Sequence, residues 1–112
     1  MYDYLMIYSD EGYRNSIKAI DFEQFMIRTL GFEQLTKLKL YKEIGGELVR
    51  FTGIQANSDG SYAFETLDGV EEINLIEIDL PERIDDEIES EILKIANTIA
   101  NEYSWIIDLR DE

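Results

Sequence analysis

The sequence predicts an α+β fold: a mainly antiparallel sheet of about six strands with two helices on one face, in the order β-α-β-β-β-β-α-β. Three features predict it. Apolar residues recur at helical spacing from Ile84 to Tyr103. Glycine- and Asp/Asn-rich turn signals divide residues 35–80 into short alternating segments. A tyrosine-rich alternating segment opens the chain.

The elements follow in order. Residues 2–8, Tyr-Asp-Tyr-Leu-Met-Ile-Tyr, read as a strand with Tyr2, Tyr4, Met6 and Tyr8 on one face and Asp3, Leu5 and Ile7 on the other. Apolar groups on both faces predict an interior strand, ended by Ser9-Asp10-Glu11-Gly12. A first helix follows, with Asp21 as N-cap and Gln24 completing a capping box, or with a start nearer Ile17. Phe22, Phe25, Met26 and Leu30 share its buried face, and Gly31 suits its end.

Residues 35–44, 47–56, 61–67 and 70–80 then read as a four-strand antiparallel meander. Its turns are Gly45-Gly46, Asn57-Ser58-Asp59-Gly60 and Asp68-Gly69. Pro81 closes it, and a second helix runs from about Arg83 to Tyr103. Asp85, Asp86, Glu87 and Glu89 crowd its first turns, where the helix dipole favours negative charge. Ser104 to Leu109 forms the last strand, with Trp105 and Ile107 buried and the strand parallel to a neighbour by a crossover.

The 112 residues fit one domain spanning 1–112, long enough to bury about two-thirds of its unfolded surface. The chain has no cysteine and no histidine. Disulfides, thiolate chemistry, His or Cys metal sites and the usual Ser-His and Cys-His nucleophile pairs are therefore excluded. No apolar run approaches the roughly 18 residues of a membrane span. The amino terminus lacks the basic start of a secretory signal, so the expected location is the cytoplasm.

Ten basic residues stand against 25 acidic ones, for a net charge of −15. The excess is lopsided. Residues 65–112 hold 16 of the acids and only Arg83, Lys94 and Arg110 as cations. Such a field repels nucleic acid and anionic membrane, and it attracts basic protein surfaces. Glu77, Asp79, Glu82, Asp85, Asp86 and Glu89 are the candidate partner-binding residues, forming a rim that receives arginine and lysine side chains. Alternation places Glu77 and Asp79 opposite Ile76 and Ile78, and helical spacing turns Asp86 and Glu89 outward.

Nothing in the spacing signals an enzyme, a metal or a cofactor. Carboxylate pairs serve glycoside hydrolysis and carboxylate clusters hold Mg²⁺ or Ca²⁺, but Asn57-Ser58-Asp59-Gly60 lacks the downstream acids of a calcium loop. Tyr2, Tyr4 and Tyr8 read as a half-buried sheet face, and Lys37, Lys39 and Lys42 as a small basic island on the surface.

In the acidic run Glu77 to Glu91, and in having neither histidine nor cysteine, the chain resembles the small immunity proteins of bacterial toxin systems. The likeness is one of size and composition. It implies a non-enzymatic domain that neutralises a cognate toxin such as a basic nuclease. Two other readings fit the same charge. One is a phage-type nucleic-acid mimic that blocks a restriction or CRISPR nuclease; the other is an adaptor or assembly domain.

Overall fold

The structure, a computed structural model, describes residues 2–10, 12–59, 62–63 and 69–111, and for 2–4 and 109–111 the backbone. In chain order the elements are β1 (Tyr2–Tyr8), β2 (Ile17–Lys18), α1 (Ala19–Arg28), β3 (Glu33–Thr36), β4 (Lys39–Ile44), β5 (Glu47–Ile54), β6 (Glu72–Ile73), β7 (Leu75–Asp79), α2 (Asp86–Tyr103) and β8 (Ile106–Asp111). Six strands form one sheet in the order β3-β4-β5-β7-β1-β8, and every neighbouring pair is antiparallel. With the two helices they give the predicted α+β order. The short strands β2 and β6 pair separately.

β1 is the interior strand expected, between β7 and β8, with Leu5 and Ile7 in the helix-side core and Met6 and Tyr8 packed on the other face with Ile54, Ala56, Leu75 and Tyr13. Leu5 and Ile7 face the helices, in register with Ile78 and Ile76 of β7. Phe51 and Val49 of β5 and Leu40 and Ile44 of β4 continue that face. Phe22 and Met26 of α1, with Ile88, Ile92, Ile95 and Ile99 of α2, close over it in one buried cluster. Both helices thus lie on one side. Each fully buried isoleucine contributes about 2 kcal/mol by leaving water.

Gly53 sets how close α1 can come. It faces the core opposite Ile76, and a Cβ there would lie 2.9 Å from Ile73 Cδ1 and 3.2 Å from Phe22 Cε2. The Gly45-Gly46 hairpin forms as expected, with φ of 60° and 86°. These angles suit a two-residue turn whose twist matches that of the strands.

Several boundaries differ from the sequence reading. Residues 35–44 are not one strand: a turn at Lys37-Leu38 separates β3 from β4. Leu38 takes a left-handed φ of 63° yet is fully buried, and its N–H donates to Glu23 Oε2 at 2.9 Å. Burial and that bond offset a backbone cost of about 1–2 kcal/mol. Asp21 is not the N-cap. The helix begins at Ala19, whose N–H is taken by the Glu71 carbonyl at 2.8 Å, and Asp21 sits in the first turn.

The stretch 61–67 lies largely outside the described residues, although Tyr62 bridges Ala56. The last strand is not parallel to its neighbour. β8 pairs antiparallel with β1, so α2 carries the chain across β1 and leaves β8 parallel to β7 one strand away.

The predicted strand 70–80 breaks at Asn74, a residue the pattern did not single out. Asn74 is 1% exposed, and its amide is satisfied throughout. Oδ1 accepts from Ala56 N–H at 2.7 Å, while Nδ2 donates to the Ala56 carbonyl at 3.0 Å and to the Tyr13 carbonyl at 2.9 Å. Its main chain donates to Ile54 and accepts from Ser9. One side chain therefore ties β7 to the end of β5 and to the loop after β1. Asp10 organises that loop from the other side. Its carboxylate accepts from the N–H groups of Gly12, Arg14 and Asn15, and these bonds, chiefly that from Arg14, hold its pKa below the usual value.

Two predictions follow from this packing. Asn74→Ala leaves buried backbone partners unsatisfied and lowers the unfolding free energy by about 3 kcal/mol, read from urea denaturation with an unchanged slope. The second concerns Tyr103, whose ring meets Phe25 and Trp105 at 5.6 Å. Burial, with the charges of Glu102 and Asp21, pushes its hydroxyl up to about 12. The folded state keeps this proton where the unfolded chain loses it, so stability falls as pH rises from 10 towards 12. Tyr103→Phe makes that alkaline decline shallower in pH-resolved denaturation.

Candidate functional site

The acidic residues gather at the end of the domain where three elements meet: the β4–β5 hairpin, the carboxyl end of β7 and the amino end of α2. Arg83, in the connection after β7, clasps them together. Its guanidinium donates to the Gly45 carbonyl at 2.9 Å and lies 3.4 Å from Glu47 Oε2 and 3.3 Å from Asp85 Oδ2. Gly45 also makes room for α2, since a Cβ there would fall 2.6 Å from Ile88 Cγ1.

Asp85 starts the helix. Its backbone is extended, and Oδ1 accepts from the Ile88 N–H at 2.9 Å, filling one of the free donors of the first turn. α2 thus begins at Asp86, three residues after Arg83 and later than the periodicity alone implied. From there the buried positions Ile88, Ile92, Ile95, Ala96 and Ile99 dictate which side chains face water.

Asp86, Glu87 and Glu91 are exposed, Glu89 is half-buried, and Glu82 is exposed in the connection. Among the described residues no lysine or arginine forms an ion pair with any of the five. Arg83, beside Glu82 in sequence, is already engaged, and Lys94, three residues beyond Glu91, forms no ion pair with these acids. Carboxylates therefore surround the first two turns of α2, reinforced by the helix dipole that favours negative charge there.

The six carboxylates expected to form one rim do not share a surface. Glu77 and Asp79 point away from the helices, because β7 alternates and Ile76 and Ile78 occupy its core side. Asp86 and Glu89 stand on the helix layer, and Glu82 and Asp85 belong to the segment passing between the two sides. The sheet itself is the divider. Two of the six are also engaged internally: Asp85 as cap and partner of Arg83, Glu77 as acceptor from the Tyr62 hydroxyl.

The candidate site is thus the acidic amino end of α2, with Glu82, Asp86 and Glu89 from the expected set and Glu87 and Glu91 added. Glu87 and Glu91 were legible as an i,i+4 pair on one helix stripe. The clasp formed by Arg83 was not, since it depends on a hairpin distant in sequence. Among the described residues no three acids converge as metal ligands. Among the described residues no helix is long and apolar enough to cross a membrane. What the arrangement supplies is a fixed array of hydrogen-bond acceptors suited to guanidinium and ammonium groups.

The cap can be separated from the ion pair. Asp85→Ala lowers stability by about 1 kcal/mol in urea denaturation, whereas Asp85→Ser, which keeps a capping oxygen and loses the charge, stays within a few tenths. Equal losses in the two variants would assign the effect to Arg83 instead.

Compared with protein-family models, with curated proteins and with solved structures, the chain matches none.

Proposed function

We propose that this chain is a non-enzymatic binding protein that neutralises a basic partner protein, most concretely an immunity protein that inhibits a cognate toxin such as a nuclease. The observation that carries this reading is the set of carboxylates around the first turns of α2, Glu82, Asp86, Glu87, Glu89 and Glu91, with no ion-pairing cation among the described residues. Ordinary surface charge is interspersed with the opposite sign. Here the compensation is missing in a molecule of net charge −15.

Physical chemistry assigns such an array two effects. It steers a cationic partner during encounter, and it offers charge-assisted hydrogen bonds on contact. Helix geometry holds the backbone of the array in place before binding, which reduces the ordering cost of association. A nuclease inhibitor of this kind would place carboxylates where the enzyme receives phosphate. The array is compact: from Asp86 to Glu91 it spans about 8 Å of helix axis, between two and three base-pair steps of a duplex. That length favours a local epitope on a protein over mimicry of an extended phosphate track.

The test uses the basic protein that this chain captures from its native cell. Asp86→Lys, Glu87→Lys and Glu91→Lys together should slow association at least about tenfold at low salt and abolish protection of cells expressing the toxin. The unsubstituted chain should associate more slowly as salt rises. Unchanged affinity in the folded triple variant would exclude the amino end of α2 as the binding site.

A further inference from the structure

The solvent side of α1 carries a pattern that its packing in the core does not require. Ala19, Phe22 and Met26 turn inward. Ile20, Gln24 and Ile27 form a stripe on the outer side, at helical steps of four and three residues. Ile20 is 58% exposed and Ile27 is 40% exposed. Asp21 and Arg28 run alongside this stripe and are exposed as well. Among the described residues neither forms an ion pair.

The elements packed on α1 leave the stripe accessible. On one flank of the helix, Phe25 meets Tyr103 of α2. On the other, Glu23 accepts hydrogen bonds from the Leu38 N–H and the Gln34 amide. Ile20, Gln24 and Ile27 lie on the crest between these two flanks, so neither α2 nor the edge of the sheet covers them.

This pattern is self-complementary. Consider a two-fold axis that passes by Gln24 at right angles to α1. It lays a second α1 antiparallel against the first, with Gln24 beside the partner's Gln24. Ile20 then meets the partner's Ile27, and Asp21 meets the partner's Arg28. Both pairs straddle Gln24 almost evenly, so one axis satisfies them together, and symmetry forms each of them twice. The apolar pairs fall on one side of the seam and the ion pairs on the other, the side nearer α2. A parallel arrangement would instead set Asp21 against the partner's Asp21.

We propose that α1 is a homodimer interface, in which two copies pack their first helices antiparallel about Gln24 with reciprocal Ile20–Ile27 and Asp21–Arg28 contacts. A two-fold interface requires a patch that complements itself, and exposed isoleucines and opposite charges at matching positions meet that requirement. The net charge of −15 does not prevent it. Tyr103 sits beside α1, and Glu89 lies about 20 Å before it along α2. The antiparallel arrangement sends the two acidic ends to opposite ends of the pair, several Debye lengths apart at physiological salt. One helix of about three turns from each copy makes a small contact, so the dissociation constant falls in the range of about 10–100 μM. The amino end of α2 stays free in the dimer, so the interface is independent of the function proposed above.

The decisive experiment is a charge exchange read by sedimentation velocity at physiological salt. The unsubstituted chain should approach twice its 13.1 kDa mass as its concentration rises towards about 1 mM. Asp21→Arg alone and Arg28→Asp alone should each set like charges against each other and raise the dissociation constant at least about tenfold. Mixing these two variants in equal amounts should restore the dimer, because each supplies the charge the other lacks. Ile20→Ser with Ile27→Ser, at exposed positions outside the core, should weaken the dimer by a similar factor and serves if a charge reversal disturbs folding. A chain monomeric at about 1 mM, a dimer indifferent to the charge reversals or to the loss of both isoleucines, or a mixture that stays monomeric would each overturn the proposal.

Discussion

The isoleucine stripe of α2 is the constraint on which the arrangement of this protein depends. Ile88, Ile92, Ile95 and Ile99 are buried in the same cluster as Leu5, Ile7, Ile76 and Ile78. Each contributes about 2 kcal/mol by leaving water, more than any exposed ion pair could offer. Burying this stripe fixes the rotation of the helix about its axis. The carboxylates between the isoleucines then have no choice of direction, so the exposure of Asp86, Glu87 and Glu91 follows from apolar packing.

The same burial makes the sheet a partition. Once Ile76 and Ile78 face the helices, the pleat sends Glu77 and Asp79 to the other side. Residues close in sequence and alike in charge therefore serve two surfaces of different character. One is the uniformly acidic start of α2, suited to a cationic target. The other is a mixed face in which Arg50 and Lys39 stand beside Asp79 and Glu77.

Polar contacts do the remaining positioning at places where the chain leaves regular structure. Asn74 joins three segments through one amide, Asp10 gathers the N–H groups of its loop, and Arg83 ties the β4–β5 hairpin to the start of α2. Asn74 is buried, and a buried polar group is costly unless every atom is paired, so it specifies one arrangement of the loops around it. Glycine completes that arrangement at Gly45 and Gly53, where the missing Cβ lets a helix approach a strand.

Much of this was legible in the residues themselves. The helical recurrence of isoleucine, the Gly45-Gly46 turn and the two-faced apolar character of residues 2–8 carry their structural meaning locally, through periods of 3.6 and 2 and through backbone freedom. So does the net charge and its bias towards the carboxyl-terminal half. What the sequence could not decide was every feature that joins distant segments. The turn at Leu38 depends on burial beside Gly53 and a bond from its N–H to Glu23, the break at Asn74 on Ala56 and Tyr13, and the antiparallel placement of β8 on β1 occupying the slot between it and β7. The same limit divided the acids. Spacing told which side of its own element each carboxylate faced, but only the packing of α2 against one face of the sheet decided that those two sides look in opposite directions.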